Sequence, residues 1–298
     1  MTAQDGAPVG MAFVRSPVGV GIEPFYGEVI AGMEDVLHER GINVLMQVVD
    51  DYDEELATYR RWAQARAVAG IVLTNLTTDD SRAEFAAGLG LPSVTLGEPS
   101  ATHGQAVVRV NNYAAMRDAV RQLVALGHRR IGRVSGPVEL VHTRARTEAF
   151  DAVVAETGIS ARLSVGDYSA ESGDAAVRNL LDEEDPPTAI VFDNDVMAVA
   201  GLAAAQQLGV PVPDRLALLA WDDSALCRMT SPPLSAMSHD VHQLGQLAAN
   251  ALVELIERQT ATDVMAPEPV FIARGTTALP AATRGARTQH SGVLFNTL

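Results

Sequence analysis

The chain has 298 residues, 47% of them hydrophobic, and carries 22 basic against 37 acidic side chains for a formal net charge of -15. That size and apolar content supply the core of two ordinary domains or one large α/β domain, and no apolar run approaches the ~20 residues that cross a bilayer. The charge sets this surface against a duplex with one phosphate charge every ~1.7 Å; the single cysteine, Cys227, excludes an intrachain disulfide framework or a thiolate metal cluster and fits a reducing compartment.

Short β-branched runs alternate with amphipathic stretches along the whole chain. Val9–Val14 reads as a strand, followed by a helix from about Phe25 to Arg40 with Val29, Ile30, Met33, Val36 and Leu37 on one stripe and Gly41 at its C-cap. Strand Ile42–Val49, helix Asp53–Arg66, strand Gly70–Leu73, helix Ser81–Gly88 and strand Ser93–Leu96 complete a first series. After the polar connection Gly97–Gln105, a second series runs through Val107–Val110, helix Tyr113–Leu126, strand Ile131–Val134, helix Thr143–Glu156, a weak strand near Leu163–Val165 and helix Ala170–Leu181. Strand Ala189–Phe192, a helix closed by Gly209 and strand Leu216–Trp221 follow. The rhythm breaks at Thr230-Ser231-Pro232-Pro233, leaving one long helix, Val241–Glu257, and a last strand, Val270–Ala273. The tail from Pro280 has no period and reads as disordered or loosely attached.

Such alternation means parallel strands covered by helices, which close either as a (β/α)₈ barrel or as two doubly wound sheets. The dividing connection and the leftover helix and strand favour two doubly wound parallel-sheet subdomains. Open sheets of this class bind ligands beyond the carboxyl ends of their strands, and Asp193-Asn194-Asp195 and Asp222-Asp223 stand at two such ends. Phe25 and Tyr26 follow the first strand and a loop bearing Gly19 and Gly21, so their rings can offer a stacking face, although Phe25 can equally seal its helix against the sheet. Glu23 precedes them as an acceptor for hydroxyls. Asn194 can donate and accept together, yet it or Asp195 is also suited to cap the next helix. Asn75 and Asn111 are further candidates. Arg144 and Arg146 are two apart on a helix, so at most one of them faces a common ligand.

The ordered set GMEDVLHERGINVLM, GIVLTN, LPSVTLGEP, VRQLVALGHRRIGRVSGP, RARTEAF, PTAIVFDNDVMAVAGLAAAQQLGVPVPD, WDDSALCRMTSPPLSAM and FIARGTTA resembles the LacI/GalR family of bacterial transcription regulators from about Val9 to Thr277. The resemblance is to the effector-binding core and implies a periplasmic-binding-protein-like fold of type I, with residues 8–110 plus 238–265 in one subdomain and 111–237 plus 266–279 in the other, joined by crossover strands. The tail, 280–298, lies outside both. It also implies the site: Phe25 and Tyr26 where family members place ligand-contacting aromatics, Arg146 as the cleft arginine, His142 at a position that often contacts effector, Tyr168 closing the opposite wall, and Asp222, beside Trp221, as the cleft aspartate. Aromatic faces with Arg, Asn and Asp suit a sugar; Leu140 stands where an arginine would serve a nucleobase. Closure on a small effector would be passed, in a homodimer, to DNA-binding heads.

Family members usually begin with a helix-turn-helix domain, whereas here the core begins by Val9; the expectation is a regulator whose DNA-reading part this chain does not contain. An extracytoplasmic sugar-binding protein of a transporter is the alternative, but Met1–Gly10 has no basic n-region and Val9–Val14 is too short for a signal's apolar core, so the chain is placed in the cytoplasm. No cofactor, metal or enzymatic activity is expected: there is no Ser-His-Asp order and no GxxxxGK loop, and the His239/His242 pair has no third ligand in view.

Overall fold

The computed structural model describes residues 6–14, 23–99 and 101–277; the loop with Gly19 and Gly21 and the tail from Pro280 lie outside the described residues. In chain order the elements are β1 (Val9–Val14), α1 (Pro24–Leu37), β2 (Val44–Val49), α2 (Tyr52–Ala65), β3 (Gly70–Leu73), α3 (Arg82–Gly88), β4 (Ser93–Leu96), β5 (Ala106–Arg109) and α4 (Asn112–Ala125). There follow β6 (Arg130–Ser135), α5 (Val141–Thr157), β7 (Ser160–Val165), α6 (Ala170–Leu181), β8 (Ala189–Phe192), α7 (Asp195–Gln207), β9 (Ala217–Trp221), α8 (Ala225–Met229), β10 (Ser235–Ser238), α9 (Val241–Arg258), β11 (Asp263–Met265) and β12 (Val270–Ile272). No described helix is long and apolar enough to cross a membrane.

These elements form two separate doubly wound sheets in two compact units, and no closed barrel. The first unit takes the chain up to Tyr113, Val138–Ala145 and His239–Pro269. Its six strands run β2-β1-β3-β4-β5-β11, every pair parallel. Both faces are covered, so β3 and β4 are buried along their whole length. Val29, Met33 and Leu37 of α1 and Leu244, Ala248 and Leu252 of α9 pack on one face with Val9 and Met11; Tyr59 and Trp62 of α2 and Ala83 and Ala86 of α3 pack on the other with Ala12. Helices α1 and α9 approach so closely that a Cβ at Gly245 would lie 2.0 Å from the Val29 carbonyl oxygen, and one at Gly32 would lie 1.9 Å from that of His242. Only hydrogen fits at either position.

The second unit takes Ala114–Pro137, Arg146–Ser238 and the chain from Val270. Its strand order is β7-β6-β8-β9-β10-β12, parallel except for the antiparallel pair β10–β12. Strand alternation sorts its core: Ile131, Ala189 and Val191 lie with Ala119 and Leu123 of α4 and Phe150 and Val153 of α5, while Val134, Ile190 and Phe192 lie with Val177 of α6 and Leu202 of α7.

Strands β1, β3, β4 and β8 and helix α6 have the bounds expected from the sequence. Strand β2 begins at Val44 because Gly41, at φ 67°, turns the chain and the Ile42 N–H closes onto the Leu37 carbonyl. Strand β10, of small residues, and the three-residue β11 carry no apolar run to announce them, and α8 is a single short turn capped by the Ser224 hydroxyl.

Candidate functional site

Each sheet has a switch point, where the connections leave in opposite directions and the carboxyl ends of neighbouring strands leave a crevice. In the first unit it lies between β1 and β3, in the second between β6 and β8. Most of the candidate residues lie at or beside these two places.

In the first unit, Glu23 precedes α1 and its carbonyl accepts the Tyr26 N–H. Phe25 is half-buried and meets Tyr26 edge-on at 5.4 Å between centroids. The Tyr26 ring is 7% exposed and also packs on Phe13 at 4.3 Å. Burial, then the Glu23 charge, pushes the Tyr26 hydroxyl well above the usual phenol range, so it stays a neutral hydrogen-bonding group. It accepts a 2.6 Å bond from Asn75 Nδ2. Asn75 follows β3 with φ 50°, a left-handed backbone that asparagine tolerates better than most residues.

Arg82 underlies that turn, a residue the sequence did not single out. Its Nη2 donates to the carbonyls of Thr74 (2.8 Å) and Asn75 (3.0 Å). The same guanidinium pairs with Asp80 at 2.6 Å and with buried Glu55 at 2.9 Å, and Tyr59 donates to Glu55. The other two first-unit candidates stand apart from this group. Asn111 donates to Glu268 at 3.3 Å. His142 lines a small depression with Leu76, Glu98 and Asn112.

Helix α5 presents Thr143, and in the second unit Arg146 and Phe150, inward at helical spacing, all at most 6% exposed. Arg144 points elsewhere, exposed and bonded to Thr78 at 2.9 Å. Arg146 stacks its guanidinium 4.2 Å above the centroid of the fully buried Trp221, a cation–π geometry, and donates to the Asp193 carbonyl at 2.8 Å. Asn194 accepts the Met197 N–H at 2.9 Å, so it is the cap of α7, and its Nδ2 donates to the Tyr168 carbonyl at 3.1 Å. Asp195 instead accepts the Ser224 N–H at 3.0 Å; burial raises its carboxyl pKa. Tyr168 has φ 69° and lays its ring on Gly136, where a Cβ would come within 2.1 Å of the Tyr168 Cζ. This explains the glycine of the Gly136-Pro137 turn.

Asp222 and Asp223 both adopt left-handed backbone, at φ 76° and 62°, directly after β9. The Asp222 N–H bonds to the Met237 carbonyl at 3.0 Å and its side chain is half-buried. Asp223 is held by a two-pronged pair with Arg274 at 2.6 and 2.8 Å. Two pairs, Arg146 on Trp221 and Asn194 on the Tyr168 carbonyl, thus stand near the ends of β8 and β9, with Asp222 directly after Trp221. Among the described residues no cluster of three His, Cys, Asp or Glu side chains is placed to hold a metal; His242 pairs with Asp35 at 2.7 Å.

Comparison with known proteins agrees with this fold. The profile of the periplasmic binding protein-like domain matches residues 120–277. The HTH-type transcriptional regulator reg1 of Streptomyces lividans is 34% identical over 236 residues, 74% of this chain and 67% of its own length. A LacI family transcriptional regulator from Bifidobacterium animalis subsp. lactis superposes with TM-score 0.83 at 33% identity, covering 92% of this chain and 99% of that one. A complex of the transcriptional regulator CelR with cellobiose superposes with TM-score 0.81 at 25% identity, covering 92% and 86%. The chain belongs to the LacI/GalR family of transcriptional regulators and carries its periplasmic-binding-protein-like core.

Proposed function

We propose that this chain senses a sugar or sugar-like effector with the aromatic and polar groups that gather at the switch points of its sheets. The reading is carried by one observation: each sheet, at its own switch point, gathers aromatic and polar groups suited to a polyhydroxylated ligand. The first unit supplies Phe25, Tyr26 and Asn75, with Glu23 beside them. Arg146 on Trp221, Tyr168, Asn194 and Asp222 come from the second. Arginine's planar fork and an aspartate's two oxygens suit vicinal hydroxyls. The CelR complex with cellobiose, a related fold, supports the sugar class. Asn111, bonded to Glu268, and His142, in the small depression with Leu76 and Glu98, take peripheral parts.

The protein acts in this reading by binding, not catalysis, in the cytoplasm, and passes effector occupancy to a helix-turn-helix module of the kind its relatives are named for. It works as a homodimer. Edge strands β2 and β7 support that assignment, since Leu45, Met46 and Val48 on one and Leu163 and Val165 on the other are exposed apolar side chains that a second copy can cover.

A thermal-shift screen over mono- and disaccharides, polyols and nucleobases tests the effector assignment. The expected result is a sugar-dependent rise in Tm that disappears in both Arg146→Ala and Asp222→Ala. A stabilising sugar unaffected by either substitution refutes the placement, and a screen answered only by nucleobases refutes the ligand class. Sedimentation at micromolar concentration tests the dimer, and a monomer there rejects it.

A further inference from the structure

Arg133 and Asp193 are both fully buried in the second unit, joined by two bonds of 2.9 and 2.7 Å. A buried ion pair of this kind is weak evidence of a contribution to stability, since apolar replacements of both partners are often neutral or favourable. What the pair touches is more telling. Arg133 lies on the α5 face of β6, as alternation from Ile131 requires, and its Nη1 donates at 2.7 Å to Thr147, the neighbour of Arg146. Asp193 lies at the end of β8 and also accepts the Gly136 N–H at 3.3 Å. Arg146 donates at 2.8 Å to the main-chain carbonyl of Asp193, while its guanidinium stays 4.0 Å from the Asp193 carboxylate.

That choice of partner is unexpected on energetic grounds, because a carboxylate offers a guanidinium full charge–charge attraction as well as the hydrogen bond, whereas a carbonyl offers only its dipole. The carboxylate is already engaged by Arg133. We propose that Arg133 is a positioning residue that occupies the Asp193 carboxylate and so prevents it from capturing Arg146, leaving the Arg146 guanidinium stacked on Trp221. Burial opposes ionisation of Asp193, but the charges of Arg133 and Arg146 outweigh it and hold the carboxyl below its ordinary range, so the competing acceptor is ionised at neutral pH. The significance of the arrangement for ligand binding rests on the proposed function above. Its geometry does not.

The test is the Nε–Hε resonance of Arg146 in the ¹⁵N-labelled, ligand-free chain, identified by its loss in Arg146→Lys. Stacking on the indole shifts it upfield of the other arginines. In R133M the freed carboxylate draws Arg146 off the ring and the resonance moves downfield. In R133M/D193N the competing charge is gone and the upfield position returns. A merely structural role for Arg133 does not predict this rescue. An unmoved resonance in R133M, or a double variant that stays downfield, overturns the proposal. If R133M does not fold, R133Q, whose neutral amide leaves the charge of the carboxylate uncompensated and free to draw Arg146, takes its place with the same two outcomes. No ligand is needed, so a failed sugar screen and a failed resonance test point to different errors.

Discussion

Replacing Arg82 by methionine removes one side chain and strands two carboxylates. Arg82 is 5% exposed and Glu55 1%, and Arg82 is paired to Asp80 at 2.6 Å and to Glu55 at 2.9 Å. It also satisfies the carbonyls of Thr74 and Asn75. Removing one partner of a buried ion pair costs about 3–5 kcal/mol, because the charge left behind is uncompensated. At roughly 2–4 °C per kcal/mol for a unit of 150–250 residues, R82M lowers the Tm of the first unit by about 6–20 °C. Trp62, 6.0 Å from Tyr59 in that unit, reports its unfolding once Trp221, the other tryptophan, is replaced by phenylalanine. The triple variant E55Q/D80N/R82M, with no stranded charge, recovers most of the loss. The pH dependence has a defined sign. Burial works against ionisation of Asp80, but hydrogen bonds and charge from Arg82 prevail and lower its pKa. A depressed carboxyl stabilises the fold above its unfolded value, near ~3.9, and loses that contribution as pH falls through the folded one. The gap between wild type and R82M therefore narrows below about pH 4. An R82M chain that melts within about 2 °C of wild type at pH 7 refutes the argument, since it corresponds to at most ~1 kcal/mol.

Three further substitutions test the geometry elsewhere. Gly136→Ala sets a Cβ 2.1 Å from the Tyr168 Cζ; overpacking costs about 1–3 kcal/mol, and displacement of the ring weakens any stabilising sugar in the thermal-shift assay, whereas unchanged affinity removes Tyr168 from the site. Gly245→Ala meets the Val29 carbonyl at 2.0 Å, which is backbone and cannot turn aside, so urea unfolding followed at Trp62 shifts by at least about 1–3 kcal/mol; no shift means that α1 and α9 are not packed as described. Asn194→Ala removes the α7 cap and the bond to the Tyr168 carbonyl, at about 0.5–2 kcal/mol for the cap alone, read from Trp221 fluorescence in a Trp62→Phe background; a neutral result rejects the capping role.

The alternation of apolar runs and helical stripes made the fold class readable, because parallel strands covered on both faces must be continuous hydrophobic runs and their crossovers must be amphipathic. It did not announce β10, whose Ser-Ala-Met-Ser has no apolar run, or the three-residue β11. Among the candidate site residues, the strand-end positions of Asn75, Asn194 and Asp222 were legible from chain order alone. Whether Asn194 or Asp195 capped α7 was not, since both residue types suit the position and only the bond to the Met197 N–H decides it. Arg82, Arg133 and Asp193 went unread as supports for the same reason: an arginine inside a strand or at a helix start carries no signal of its partner, which lies 27 residues away for Arg82 and Glu55 and 60 for Arg133 and Asp193.

The sequence by itself determined what periodicity and local chemistry can carry: two series of parallel strands covered by helices, the strand ends where ligands gather, and the C-cap at Gly41. Tertiary structure alone decided which polar side chains stand beside a switch point and which hold other residues in place. Arg144 and Arg146 differ little as residues, yet one is exposed on Thr78 and the other lies on Trp221. Helical geometry separates two such positions, but which of them faces the buried indole depends on how α5 is rotated against its sheet, and that rotation is set by the packing of Phe150 and Val153 far along the same helix.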